Sequence, residues 1–313
     1  MSVNLISAKT EGVFIISATP FTEDGKIDFH SLDTLLEFYV QKGVSGITIL
    51  GMMGEAQKLS SEETSQIVAY TLSQVGERTP VMVGISNAGL DNLVSLADFC
   101  MQKGAAGVMV APFSAQNTDE KIYSYFAQIF QMIDPIIPVC YQDFPLGTNA
   151  PVSVRCLERL FNDFSQLVML KHEDWPGLSK ITQLRERQIA GKISEFSILV
   201  GNGGLYLPQE LARGCDGAMT GFAYPEMLVN VVRLYKSGGP EKAENLFDAY
   251  LPLVRYEQQP GFGLAVRKEI LRRRGVIKCA RTRAPGPTLT ATDHEELDRL
   301  IKRVESKLEG LEN

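Results

Sequence analysis

Leu167-Val-Met-Leu-Lys171 is a short, near-continuously apolar run that ends in an amine. Buried parallel strands read this way because both of their faces are covered. About 30 residues earlier, Pro138-Val-Cys-Tyr141 ends in the same manner in a phenol. Similar runs recur on either side: Val13-Phe-Ile-Ile-Ser17, Ile47-Thr-Ile-Leu50, Val81-Met-Val83, Gly107-Val-Met-Val110, Phe196-Ser-Ile-Leu-Val200 and Gly217-Ala-Met219. Each run is followed by a segment of helical period, at 28–42, from Ser60, 91–103, 118–133, 151–161, 178–187, 205–213 and 225–236. The second of these opens on Ser60-Ser-Glu-Glu63, which resembles a capping box. Eight strand–helix units in about 230 residues predict an α/β fold with helices outside a parallel sheet, closed as a (β/α)8 TIM barrel over residues 1–237. A doubly wound open sheet is the alternative. It lacks support, since no G-x-G-x-x-G follows the first strand and Gly201-Asn-Gly-Gly204 comes late with the wrong spacing.

After residue 237 no strand signal returns. Segments 240–254, 262–274 and 293–311 read as helices, with a Pro-rich connector at Arg283-Ala-Pro-Gly-Pro287. Three helices in about 75 residues make a marginal core alone. Residues 238–313 are therefore expected to form a C-terminal helical extension packed on the barrel.

Composition narrows the function. The 313 residues are 44% hydrophobic, enough for a large core, and 31 basic against 37 acidic residues leave a net charge of −6. Without a basic stripe, nucleic acid is not an expected partner. No apolar run approaches about 18 residues, so no membrane span is expected. The opening Met1-Ser-Val-Asn-Leu-Ile-Ser-Ala-Lys9 lacks the basic end and apolar block of a signal peptide, and a soluble cytoplasmic protein is the expectation. Five scattered cysteines without a C-x-x-C pair read as reduced, mostly buried thiols. His30, His172 and His294 match no zinc spacing, so no metal site is expected.

In a barrel of this kind chemistry collects at the C-terminal ends of the strands. There the sequence places Thr19-Pro20-Phe21, Gly51-Met52-Met53-Gly54-Glu55, Asn87, Pro112-Phe113-Ser114, Tyr141-Gln-Asp143, Lys171-His-Glu173-Asp174, Gly201-Asn202 and Thr220-Gly221. One amine, one phenol, several carboxylates and Gly-rich backbone suit chemistry on an anionic carbonyl compound. A partly desolvated lysine has a lowered pKa, and its neutral amine can attack a ketone to form a Schiff base. Successive N–H groups in a Gly-rich turn make an anion-binding concavity. Glu173 follows Lys171 by two residues, on the same side of an extended chain, and is a candidate general acid/base. Asp143 follows Tyr141 by the same interval. Either carboxylate is also consistent with a rim residue, solvated or paired with a neighbouring base. Glu55 reads as a structural contact to the barrel rim.

In this order and at these spacings the chain resembles the dihydrodipicolinate synthase and N-acetylneuraminate lyase family, from Gly12-Val-Phe to the C-terminal helices. The resemblance rests on Thr19-Pro20-Phe21, on the G-x-x-G-E motif at Gly51–Glu55, on Tyr141 preceding Lys171, and on Gly201 after the seventh strand. It implies Lys171 as the Schiff-base nucleophile, Tyr141 as a proton shuttle, and the turn 51–54 as donor to a substrate carboxylate. It further implies a homo-dimer or homo-tetramer acting on a small 2-keto acid. No metal or organic cofactor is implied, because the lysine is itself the electron sink.

The departures bear on substrate. The family's synthases carry a hydroxyl pair where this chain has Met52 and Met53, a second tyrosine where it has Phe113-Ser114, and an arginine absent from Phe144-Pro-Leu-Gly-Thr148. A lost hydroxyl–carboxylate bond forfeits about 1.5–3 kcal/mol unless something replaces it. The acid after the lysine and the stretch Leu251-Pro-Leu-Val-Arg-Tyr-Glu257 are similar to the 2-keto-3-deoxy sugar acid dehydratases of the family. The expected activity is dehydration of a 2-keto-3-deoxy sugar acid, or its retro-aldol cleavage to pyruvate. Lys171, Tyr141 and Glu173 are expected to be catalytic, with Gly51, Met52, Met53, Gly54, Thr19, Asp143, Gly201 and Thr220 binding substrate. Condensation of pyruvate with aspartate semialdehyde is the first alternative. A non-catalytic barrel binding a 2-keto acid is the second.

Overall fold

A computed structural model describes residues 4–312 and places eight parallel strands in a closed barrel. They are β1 Gly12–Ile16, β2 Gly46–Ile49, β3 Val81–Gly84, β4 Gly107–Val110, β5 Val139–Asp143, β6 Leu167–His172, β7 Ser197–Val200 and β8 Gly217–Thr220. Each pairs with the next, and β8 closes on β1 through the register Gly12 with Gly217 to Ile15 with Thr220. The TIM barrel read from the sequence is the observed fold.

The outer ring is α1 Phe29–Gln41, α2 Ser61–Val75, α3 Leu90–Gln102, α4 Asp119–Met132, a four-residue α5 Pro145–Thr148, α6 Val154–Asp163, α7 Leu178–Ile189, α8 Leu207–Ala212 and α9 Pro225–Lys236. Local chemistry sets their starts. Asp28 caps α1 through the Ser31 N–H, Ser60 and Glu63 form a reciprocal capping box on α2, and Thr118 caps α4.

Strand alternation divides the apolar residues into two layers. Val13, Ile15, Ile47, Ile49, Val108 and Leu170 face the helices in the main core. Phe14, Ile16, Met82, Met109, Cys140, Met169, Leu199 and Met219 fill the barrel interior. Ile6 joins this inner cluster, its N–H bonded to the Ala106 carbonyl at 2.9 Å. Gly46 exists for a packing reason: the Phe14 ring lies across it, and a β-carbon there would come within 2.2 Å of that ring. All five cysteines are unpaired and buried. No helix of the described residues is long and apolar enough to cross a membrane.

Beyond the barrel come α10 Pro240–Glu257, α11 Gly263–Arg273 and α12 Ala291–Glu312. α10 lies against α8 and α9, and α12 against α10. Two buried cations of α11 reach the barrel's C-terminal face. Arg267 pairs with Glu257 and donates to the Gly221 carbonyl at 2.6 Å. Lys268 pairs with Glu55 at 2.6 Å and donates to the Arg281 carbonyl at 3.0 Å. Buried charges persist only when paired and bonded in this way.

One buried carboxyl is not paired. No described residue bonds Glu210 Oε2 on α8, and burial pushes this carboxyl up to about 8. In the folded protein it is neutral at pH 7, whereas the unfolded chain ionises near 4.5. A raised folded ionisation gives stability that is complete below pH 4.5 and lost as the pH climbs to about 8. Denaturant melts of Glu210→Gln should lack this slope. At pH 8 the variant should be the more stable by about 3–5 kcal/mol, at about 1.4 kcal/mol per pH unit between the two ionisations.

Candidate active site

Along β6, Met169 and Lys171 point inward while Leu170 joins the outer core. Lys171 is 4% exposed, at the barrel's C-terminal mouth. Its register partner on β5 is Gln142, one layer above the inward Cys140. The β5–β6 ladder continues through the Glu173 N–H, which donates to the Asp143 carbonyl at 2.8 Å. The Glu173 side chain then returns to Lys171. Its Oε2 forms an ion pair with Lys171 Nζ at 3.0 Å and accepts a hydrogen bond from Gln142 Nε2 at 2.8 Å. Asn202 Nδ2 donates to the Glu173 carbonyl at 3.0 Å and fixes the backbone of this turn.

Gly201 makes this return possible. Its N–H is held by the His172 carbonyl at 2.9 Å, and an added β-carbon would lie 2.2 to 2.4 Å from the Glu173 side chain. Thr220 acts from behind: its hydroxyl accepts from the Gly203 N–H at 2.8 Å and steadies the β7–α8 loop.

Two residues expected in the site do not reach it. Tyr141 lies on the opposite face of β5 from Gln142, fully buried and stacked on Phe126 of α4 with ring centroids 4.7 Å apart. Burial pushes its phenol well above the ordinary range, and its hydroxyl has no partner among the described residues. Asp143 also faces outward, where Lys180 of α7 holds it at 2.9 Å and His172 Nδ1 stands 3.4 Å away. Burial works to lower the Lys180 pKa, but Asp143 and Asp174 outweigh it and hold the ammonium above its usual range. The polar β5 side chain that reaches Glu173 is Gln142, which the sequence reading passed over.

The Gly-rich motif forms a short 3-10 turn, Met52–Gly54, after β2. Thr19 Oγ1 donates to the Gly54 carbonyl at 2.6 Å and ties β1 to this turn. Gly51 packs between Ile16 and Met109, Met53 rests on the inner core, and Met52 is 41% exposed. Glu55 follows in the left-handed region at φ +55°. Its carboxylate serves the rim: besides Lys268 it accepts from Lys58 at 2.8 Å and from the Arg283 N–H at 2.9 Å.

A cavity of about 300 Å3 opens at this end of the barrel. Gly51, Met52, Phe113 and Gln142 contribute to its walls, and its polar side chains are Gln57, Ser86, Ser114, Gln142, Thr148 and Asn149. None of its lining residues is charged. Gln142 links it to the Lys171–Glu173 pair. A larger cleft of about 720 Å3 beside α11 shares no lining residue with it, and there Glu269 and Arg272 pair with one another.

A family model described as the dihydrodipicolinate synthetase family matches residues 9–304. The chain is 27% identical over 298 residues to L-2-keto-3-deoxyarabonate dehydratase of Azospirillum brasilense, covering 94% of both. It is 30% identical over 258 residues to 4-hydroxy-tetrahydrodipicolinate synthase of Chlorobium limicola, covering 82% of this chain and 83% of that one. The crystal structure of dihydrodipicolinate synthase from Rhodopseudomonas palustris superposes with a TM-score of 0.93 at 45% identity, covering 96% of this chain and 99% of that one.

The contact at Gly201 generates a test. The atoms in the way of an added β-carbon belong to the Glu173 side chain. Gly201→Ala should therefore expel Glu173 from Lys171, and breaking this buried pair should cost about 3–5 kcal/mol of stability. The melting temperature should drop with the lost pair, and where Glu173 acts on substrate, turnover should fall by about 100-fold, the cost of misplacing a reacting group by 1 Å. Steady-state kinetics beside a thermal melt checks both halves.

Proposed function

The chain belongs to the dihydrodipicolinate synthetase family, and from that premise we propose that it dehydrates a 2-keto-3-deoxy sugar acid through a Schiff base on Lys171. It is a class I lyase, and the carbonyl chemistry of that class needs a lysine amine as electron sink. One observation carries the finer reading: the Glu173 carboxylate stands 3.0 Å from Lys171 Nζ, beside a cavity whose polar groups are all neutral hydrogen-bonding ones. A polyhydroxy chain fits such walls. A second substrate bearing an ammonium and a carboxylate would leave both charges without a counter-ion there.

In this reading the substrate carboxylate takes the N–H groups of Met52 and Met53, since that of Gly54 is held by the Gly51 carbonyl, and its ketone faces Lys171. Glu173 receives a proton from the lysine, whose neutral amine adds to C2. Glu173 gives that proton to the carbinolamine hydroxyl, which leaves as water, so an iminium and a free carboxylate remain. Glu173 then takes a C3 proton, giving an enamine, and returns it to the C4 hydroxyl, which departs as water. If the C4 hydroxyl is deprotonated instead, the C3–C4 bond breaks and pyruvate with an aldehyde results. The dehydratase relative from Azospirillum brasilense supports the first course. Condensation of pyruvate with aspartate semialdehyde is favoured by the name of the 45% identical structure and opposed by the uncharged cavity.

Borohydride treatment in the presence of pyruvate, and then of a panel of 2-keto-3-deoxy sugar acids, should leave a reduced adduct on Lys171. Its mass by peptide mapping distinguishes dehydration from cleavage. Lys171→Ala should give no adduct and no turnover. Retained activity in that variant, or an adduct on another lysine, would remove this reading.

A further inference from the structure

Among the described residues, Gln142 is the buried polar side chain that bonds the Lys171–Glu173 pair from the neighbouring strand. We propose that Gln142 is the positioning residue that keeps Glu173 in place as the base while Lys171 changes its bonding. This rests on the Schiff-base reading and extends it to a residue that reading does not use.

Gln142 and Lys171 are register partners on adjacent strands, both facing the mouth of the barrel. Gln142 is 4% exposed, and its Nε2 reaches Glu173 Oε2 at 2.8 Å. An ionised carboxylate only accepts, so the amide must present its NH2 edge to Glu173. Lys171 Nζ forms an ion pair with the same oxygen at 3.0 Å. That ionic contact is not constant through the reaction. The ammonium has three N–H bonds, the protonated iminium one, and in the enamine the nitrogen is uncharged. Gln142 is the donor to Oε2 that no step consumes. Oε1 has only the Asn202 N–H, at 3.5 Å, and is the oxygen available for the C3 proton.

The step that depends on this is the deprotonation of the iminium. The C3–H bond breaks, its proton passes to Glu173, its electron pair becomes the C2–C3 double bond, and the C2–N π pair returns to nitrogen. Pyruvate isolates that step, because its iminium can exchange methyl protons with solvent and has no leaving group. Addition of the amine to C2, by contrast, does not need Gln142.

The experiment is methyl proton exchange of pyruvate in D2O, followed by NMR across pH, alongside borohydride adduct yield. Wild type should show both. Gln142→Leu should keep the Lys171 adduct while exchanging about 100-fold more slowly, and exchange within about threefold of wild type would overturn the proposal. Loss of the adduct in Gln142→Leu would also overturn it, since the residue would then act on imine formation. Gln142→Glu adds a second carboxyl that can donate to Glu173 only when protonated. Its exchange should recover on the acid side and collapse as the pH rises, and a wild-type pH profile in this variant would count against positioning. Absence of a wild-type adduct is a different failure, because it removes the Schiff-base reading itself.

Discussion

The site depends on one buried ion pair, Lys171 with Glu173. Carrying an ammonium and a carboxylate out of water costs several kcal/mol per ion, and Coulomb attraction recovers it only with good geometry and further hydrogen bonds. The surrounding residues meet that demand. Gln142 gives Glu173 a second donor, Asn202 fixes its backbone, and Gly201 leaves the space its side chain occupies. The barrel interior beneath is sealed with Met169, Met109, Met219 and Phe14, so the pair rests on an apolar floor. At 3.0 Å each ion is the other's counter-charge in this water-poor setting.

Much of this was legible in the chain. Eight apolar runs at regular spacing announce the barrel, since covered parallel strands have no polar face to interrupt them. Lys171 stands out because an amine ends such a run, and Glu173 follows from the two-residue period. Glu55 also reads correctly as a rim contact. Strand five is where the reading fails, for the same reason that it succeeds elsewhere. When both faces of a strand are apolar, alternation says which residues share a face but not which face looks inward. Ending the strand at Tyr141 made the phenol look like its terminal group. The strand runs on to Asp143, with an irregularity of register between Val139 and Cys140. Its register with β6 turns Gln142 inward and sends Tyr141 and Asp143 toward Phe126 and Lys180. Those partners lie on other helices, and nothing local in sequence reveals them.

The departures at Met52 and Met53 acquire a physical sense in this setting. A site relying on hydroxyls to pass protons needs an unbroken chain of them. One relying on a carboxylate beside the amine does not, and its turn can carry apolar side chains that only shape the cavity. Met53 rests on the core and Met52 borders the opening. The backbone of the turn is held instead by Thr19 below and by Glu55 above.

That hold has a consequence for the order in which the protein is completed. Glu55 lies 213 positions before Lys268 and 228 before Arg283, the groups that neutralise and bond it. A growing chain can complete all eight strands, and even bring Lys171 and Glu173 together, before either partner has been made. Until then the turn at the barrel mouth carries a carboxylate short of its buried counter-charge. The charge balance of the barrel's rim is thus completed late in synthesis, after the barrel itself, by the C-terminal extension.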